Sequence, residues 1–78
     1  MTCRDEILQT VNALVKDRTT KTFYVIELLD AMRANHTNYP ISTIRTHVSS
    51  LMCRNAPNNH RAVYDDFERV GVALYRLL

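Results

Sequence analysis

The feature that most constrains how this chain folds is a late change in its hydrophobic period. Up to about residue 54 the apolar residues recur at helical spacing; from Val63 onward they alternate around Gly71, the only glycine. Ile7, Leu8, Val11, Leu14 and Val15 form one stripe, which predicts a helix over 3–17. Thr2 is placed to cap it, Asp5 and Glu6 suit the positive end of its dipole, and Lys16 and Arg18 suit the other end. Val25, Leu28, Leu29 and Met32 predict a second helix over about 24–34. Between the two, residues 18–23 (RTTKTF) read as a turn with a short strand near Thr22 and Phe23.

Pro40 stops any continuation of the second helix, and either it or Ser42 is placed to start a third. Ile41, Ile44, Val48, Leu51 and Met52 predict that third helix over 41–54. Pro57 and the asparagines beside it mark a loop. Residues 63–70 and 72–78 then read as two strands around a glycine turn; the alternative is a helix across 65–70 capped by Asp65 or Asp66. The expected fold is mainly α with a C-terminal β-hairpin, three helices plus a small antiparallel sheet. That order is the winged helix-turn-helix plan, in one domain spanning 1–78.

Length and composition remove other architectures. Seventy-eight residues are too few for a TIM barrel or a full dinucleotide-binding domain, and three Gly plus Pro residues in all argue against a linker or disordered chain. Cys3 and Cys53 make no metal-ligand spacing and read as reduced thiols in a cytoplasmic protein, with a single Cys3–Cys53 bridge as the alternative. No apolar run approaches the ~20 residues of a membrane span, and no signal peptide is expected. His36, His47 and His60 match no metal site, and neither Asp65 and Asp66 nor any Ser or Cys stands in a catalytic motif. No enzyme activity, metal or cofactor is therefore expected. Met32 and Met52 are expected in the core, and Phe23, Tyr24, Tyr39, Tyr64, Phe67 and Tyr75 between hairpin and helices.

The net charge is only +2, but it is unevenly laid out. No acidic residue occurs between Asp30 and Asp65, a stretch that holds Arg33, Arg45, Arg54 and Arg61 and so carries +4; the remaining six bases and eight acids carry −2. A basic block in a nearly neutral chain suggests a surface facing a polyanion. The third helix lies inside it. On a helical wheel its face opposite the apolar stripe gathers Ser42, Thr43, Thr46, Ser49, Ser50 and Cys53, with Arg45 and His47 on the flanks and Arg54 near the end. Solvated helix faces favour Glu, Lys and Gln, which propagate a helix better than Ser and Thr. A small, acid-free hydroxyl face instead suits close entry into a DNA groove. The hairpin tip would form the wing, with Arg69 reaching phosphate or pairing with Asp66 or Glu68.

Residues 42–50 (STIRTHVSS), 55–60 (NAPNNH) and 64–77 (YDDFERVGVALYRL) resemble a small prokaryotic winged helix-turn-helix domain found alone or beside restriction-endonuclease-like domains. The resemblance covers about 40–78 closely and the first two helices by pattern. It implies a winged helix and DNA binding. The family pattern has Arg and Gly after the turn glycine, where this chain has Val72 and Ala73, which implies a less basic wing.

The expectation is a small sequence-specific DNA-binding protein, a transcriptional regulator reading the major groove with helix 41–54. Ser42, Thr43, Arg45, Thr46, Ser49 and Ser50 would lie nearest the bases, and Arg54, Arg61, Arg69 and Lys21 on phosphates. The partners expected are double-stranded DNA and either a second copy or a larger protein. The alternatives are a winged-helix adaptor that binds protein, or the DNA-recognition part of a restriction-type nuclease system.

Overall fold

A computed structural model describes residues 2–55 and 64–78. The element order is α1 (Cys3–Val15), β1 (Thr22–Tyr24), α2 (Val25–Ala34), α3 (Ile41–Thr46), a π-helical turn (His47–Leu51), β2 (Phe67–Gly71) and β3 (Leu74–Leu77). Among the described residues the result is a mixed α/β arrangement of three α-helices and one small sheet.

Local chemistry sets the helix ends. Thr2 accepts from the Asp5 amide and Asp5 accepts from the Thr2 amide, a reciprocal cap at the start of α1. That helix ends at Val15 rather than 17, so Arg18 does not sit on its last turn. Arg18 instead reaches forward, donating to the Thr22 carbonyl and to both oxygens of Glu27 at 2.9 and 2.6 Å. Glu27 in turn accepts the Tyr24 amide at the start of α2. Pro40, not Ser42, stands at the N-cap of α3.

The sheet is three-stranded and antiparallel, in the order β1-β3-β2. The expected C-terminal hairpin is therefore not the whole sheet: β1, from between the first two helices, pairs Thr22 with Arg76, Phe23 with Tyr75 and Tyr24 with Leu74. No helix forms across 65–70. The turn between β2 and β3 falls on Val72 and Ala73, while Gly71 closes β2 with an ordinary φ. Ala73 carries the left-handed backbone, φ 53°.

The core lies between α1, α2, the third helical segment and one face of the sheet. Ile7, Val11, Leu28, Met32, Ile44, Val48 and Met52 come from the helical stripes, and Phe23, Phe67 and Tyr75 from the strands. Phe23 meets Phe67 edge to face at 5.1 Å and stacks on Tyr75 at 6.2 Å. Tyr24 and Tyr64 are exposed, against expectation, because both lie on outward-facing positions. Cys3 and Cys53 are both buried and free. Among the described residues no helix is long and apolar enough to cross a membrane.

Candidate nucleic-acid interface

The helix expected over 41–54 is shorter and changes type. Its α-helical part stops at Thr46, and the next five residues form a π turn closed by the Met52 amide on the His47 carbonyl at 2.8 Å. Three side chains bond back to carbonyls one turn earlier: Thr46 to Ser42 at 2.9 Å, His47 Nδ1 to Thr43 at 2.8 Å and Ser49 to Arg45 at 2.7 Å. Such back-bonding weakens and bends helices, and it precedes and accompanies the widening.

The widening revises the predicted face. With i→i+5 bonding an extra residue enters the turn, and every later side chain rotates away from its place on a regular wheel. Ser50 is accordingly buried at 8 % exposure and Cys53 at 1 %, so neither faces outward as expected. Ser42, Arg45 and Thr46 are exposed, and Thr43, His47 and Ser49 half-buried. Ser42, Thr43, Thr46 and His47 line one shallow patch. The Thr46 and Ser49 hydroxyls spend their protons on the helix, so outward they offer lone pairs rather than donors.

A second wall comes from the sheet. Arg45 and Ser49 share a groove of about 480 Å³ with Arg69, Val72 and Ala73, floored by Val25 and Tyr75. Arg69 lies next to the bulge that shifts the β2–β3 register between Arg69 and Gly71, and its Nε donates to the Gly71 carbonyl at 3.2 Å. Arg54 is exposed beyond the helix end, and its amide donates to the Phe67 carbonyl at 2.7 Å, which sets it along β2. Lys21 lies elsewhere. Its carbonyl accepts from Leu77, at the end of β3 away from the Val72–Ala73 turn, because β1 enters the sheet from that end. Arg61 lies outside the described residues.

The charges sort themselves. Asp66 is held by both nitrogens of the Arg4 fork at 2.9 Å, with the Arg4 guanidinium 3.8 Å over the Tyr64 ring. Glu27 binds Arg18, and Glu68 binds Arg76. Neither Asp66 nor Glu68 therefore pairs with Arg69. Among the described residues Arg45, Arg54 and Arg69 have no acidic partner. Arg18, with the Tyr24 amide, holds the Glu27 carboxyl at about 2 against an ordinary 4.5.

Burial first, and the Glu6 charge second, push the Cys3 thiol up, which keeps it protonated. Among the described residues no group of three His, Cys, Asp or Glu side chains could hold a metal ion.

Two residues of the site were not assigned to DNA contact from the sequence, His47 being read only as a flank of the helix face. His47 is drawn onto the patch by its bond to Thr43, a four-residue spacing legible on a wheel. Asn55 reads as a loop residue, yet its side chain holds the Arg69 backbone across 14 positions, a contact no local pattern signals. No curated protein and no solved structure matches the chain. A family model described as a domain of unknown function, DUF7669, matches residues 4–77, and the chain belongs to that family.

Proposed function

We propose that this chain is a winged helix-turn-helix domain that binds double-stranded DNA as a small, sequence-specific transcriptional regulator in the cytoplasm. The segment 41–51 enters the major groove and the β2–β3 turn lies against the flanking backbone. The observation that carries this reading is the groove that Arg45 and Ser49 share with Arg69, whose two guanidiniums have no acidic partner among the described residues. The element order and the β1-β3-β2 sheet support it, as does the resemblance of residues 42–77 to prokaryotic winged helices. Arg45 suits guanine or a phosphate. Thr46 and Ser49 offer acceptors to the amino groups of adenine or cytosine.

Arg54 and Arg69, joined by Arg45 where it takes a phosphate rather than a guanine, are the phosphate-facing cations, so a duplex should bind with a log affinity that falls against log salt by about 0.9 per phosphate neutralised, for about two to four phosphates per copy. Mobility shifts from low to physiological salt measure this. Absence of a shift at low salt, or a flat salt dependence, overturns the reading.

A second reading is an adaptor that binds protein. Val72, at the tip of the turn, is 85 % exposed where a wing that grips phosphate carries a cation. Arg45→Ala with Thr46→Ala separates the two: loss of duplex binding supports the first reading, and capture of a protein partner unchanged by both substitutions supports the second.

A further inference from the structure

We propose that Asn55 is the positioning residue that holds Arg69 in the groove opposite Arg45, a role that rests on the DNA-binding reading above. The inference starts from the outer edge of β2. Edge strands carry main-chain groups with no ladder partner. Here the chain leaving the π turn covers that edge. The Phe67 amide donates to the Met52 carbonyl at 2.9 Å and the Arg54 amide to the Phe67 carbonyl at 2.7 Å, a single parallel rung between Cys53 and Phe67.

Two residues further along β2, the next pair of outward groups belongs to Arg69. There the rung is made by a side chain. Asn55 Nδ2 donates to the Arg69 carbonyl at 3.1 Å, and Asn55 Oδ1 accepts the Arg69 amide at 2.9 Å. The planar carboxamide thus does what a strand's own peptide group would do. Only one amide orientation satisfies both bonds, since one is a donor's and the other an acceptor's task. The Cys53 thiol donates to the same Oδ1 at 3.2 Å and fixes the side chain from behind.

The consequence falls on Arg69. Its amide and carbonyl are both taken by Asn55, and it lies opposite Tyr75 of β3 in the register. Its side chain is hooked on Gly71. The position of its charge relative to Arg45 therefore depends on the link from the end of the helical segment to β2. Asparagine suits this task and its neighbours in size do not. Aspartate lacks the donor and places a carboxylate against the Arg69 carbonyl; alanine leaves both groups to water.

The test uses the full chain with Asn55→Ala, Arg69→Ala and the double variant. Hydrogen exchange of the Arg69 amide in the free protein reads the grip itself: at least tenfold faster exchange in Asn55→Ala is expected, and unchanged exchange overturns the positioning role. Duplex binding reads its purpose. Asn55→Ala and Arg69→Ala are each expected to lower affinity about five- to tenfold and to reduce the salt slope by about 1, with no further loss in the double variant. Losses that multiply, or an unchanged slope in Asn55→Ala, overturn the proposal by leaving Asn55 a merely structural part. If the unsubstituted chain binds no duplex, the DNA-binding reading falls and the DNA role of Asn55 with it, whereas the exchange result still reports the grip.

Discussion

At the scale of single residues, backbone conformation and side-chain identity disagree most openly in the β2–β3 turn. Ala73 sits at φ 53°, in the left-handed region that costs a residue with a Cβ about 1–2 kcal/mol. Glycine avoids that cost but loses more freedom on folding, which returns about 0.4–1 kcal/mol to the unfolded chain. Ala73→Gly is therefore expected to raise stability by about 0.5 kcal/mol, a shift of a few degrees in a thermal melt of a domain this size. A lower melting temperature would mean that the alanine methyl contributes packing that outweighs the strain. The same position shows where reading the sequence went astray: Gly71 drew the turn to itself as the lone glycine, yet the residue that needs glycine's freedom is two places on. Other single residues were plain. Thr2 with Asp5 three places later is a local pattern, and Met32, Ile44, Val48 and Met52 follow the helical stripes into the core. Ser50 was misread as outward because no composition rule signals a π turn at His47–Leu51, where back-bonding from Thr46, His47 and Ser49 precedes and accompanies the widening.

At the scale of elements, the third helical segment trades its own stability for its surface. Thr46 and Ser49 have lower helix propensity than alanine and turn their hydroxyls onto carbonyls. Thr46→Ala with Ser49→Ala is expected to leave the melting temperature equal or higher while duplex affinity falls severalfold. A lower melting temperature with unchanged affinity would instead make these hydroxyls part of the fold alone. The junction of α1, β1 and α2 rests on a different interaction, the Arg18–Glu27 fork. The folded carboxyl of Glu27 titrates at about 2 and the ordinary value is 4.5. The unfolded chain thus binds the proton first, and the stability this pair supplies is complete above about pH 4.5 and lost as pH falls toward 2. Both partners are about a third exposed, so solvent screens the pair and the contribution is modest. Glu27→Gln should accordingly lower the melting temperature at pH 7 and flatten its fall between pH 5 and 2, as followed by circular dichroism. Helices and strands were legible as elements because each carries its own period. The pairing of β1 with β3 joins residues some fifty positions apart, and nothing local announces such a partner.

At the scale of the whole molecule, size limits what one copy can read. The domain spans 33 × 29 × 21 Å, and one turn of duplex DNA rises about 34–36 Å. On the proposed reading, a single copy would cover about one turn along one face, through one short helical segment and one turn of sheet. Its net charge of +2 adds little long-range attraction, since acids elsewhere in the chain offset Arg45, Arg54 and Arg69. A regulator that must find its site among many competing sequences needs more contact than this. Two copies on inverted half-sites would supply it by doubling the base contacts, with each recognition segment in successive major grooves on one face of the duplex. The expected complex on an inverted repeat has two copies per duplex and a footprint of about two turns, with half-site centres separated by about 34–36 Å. Moving one half-site by five base pairs turns it to the opposite face and should abolish the two-copy complex while leaving weak binding to each half. Mobility shifts with duplexes of both spacings, with mass measured on the complex, decide the matter. A saturating one-to-one complex indifferent to spacing would make the domain a single-copy reader, with the remaining contact supplied by a larger partner.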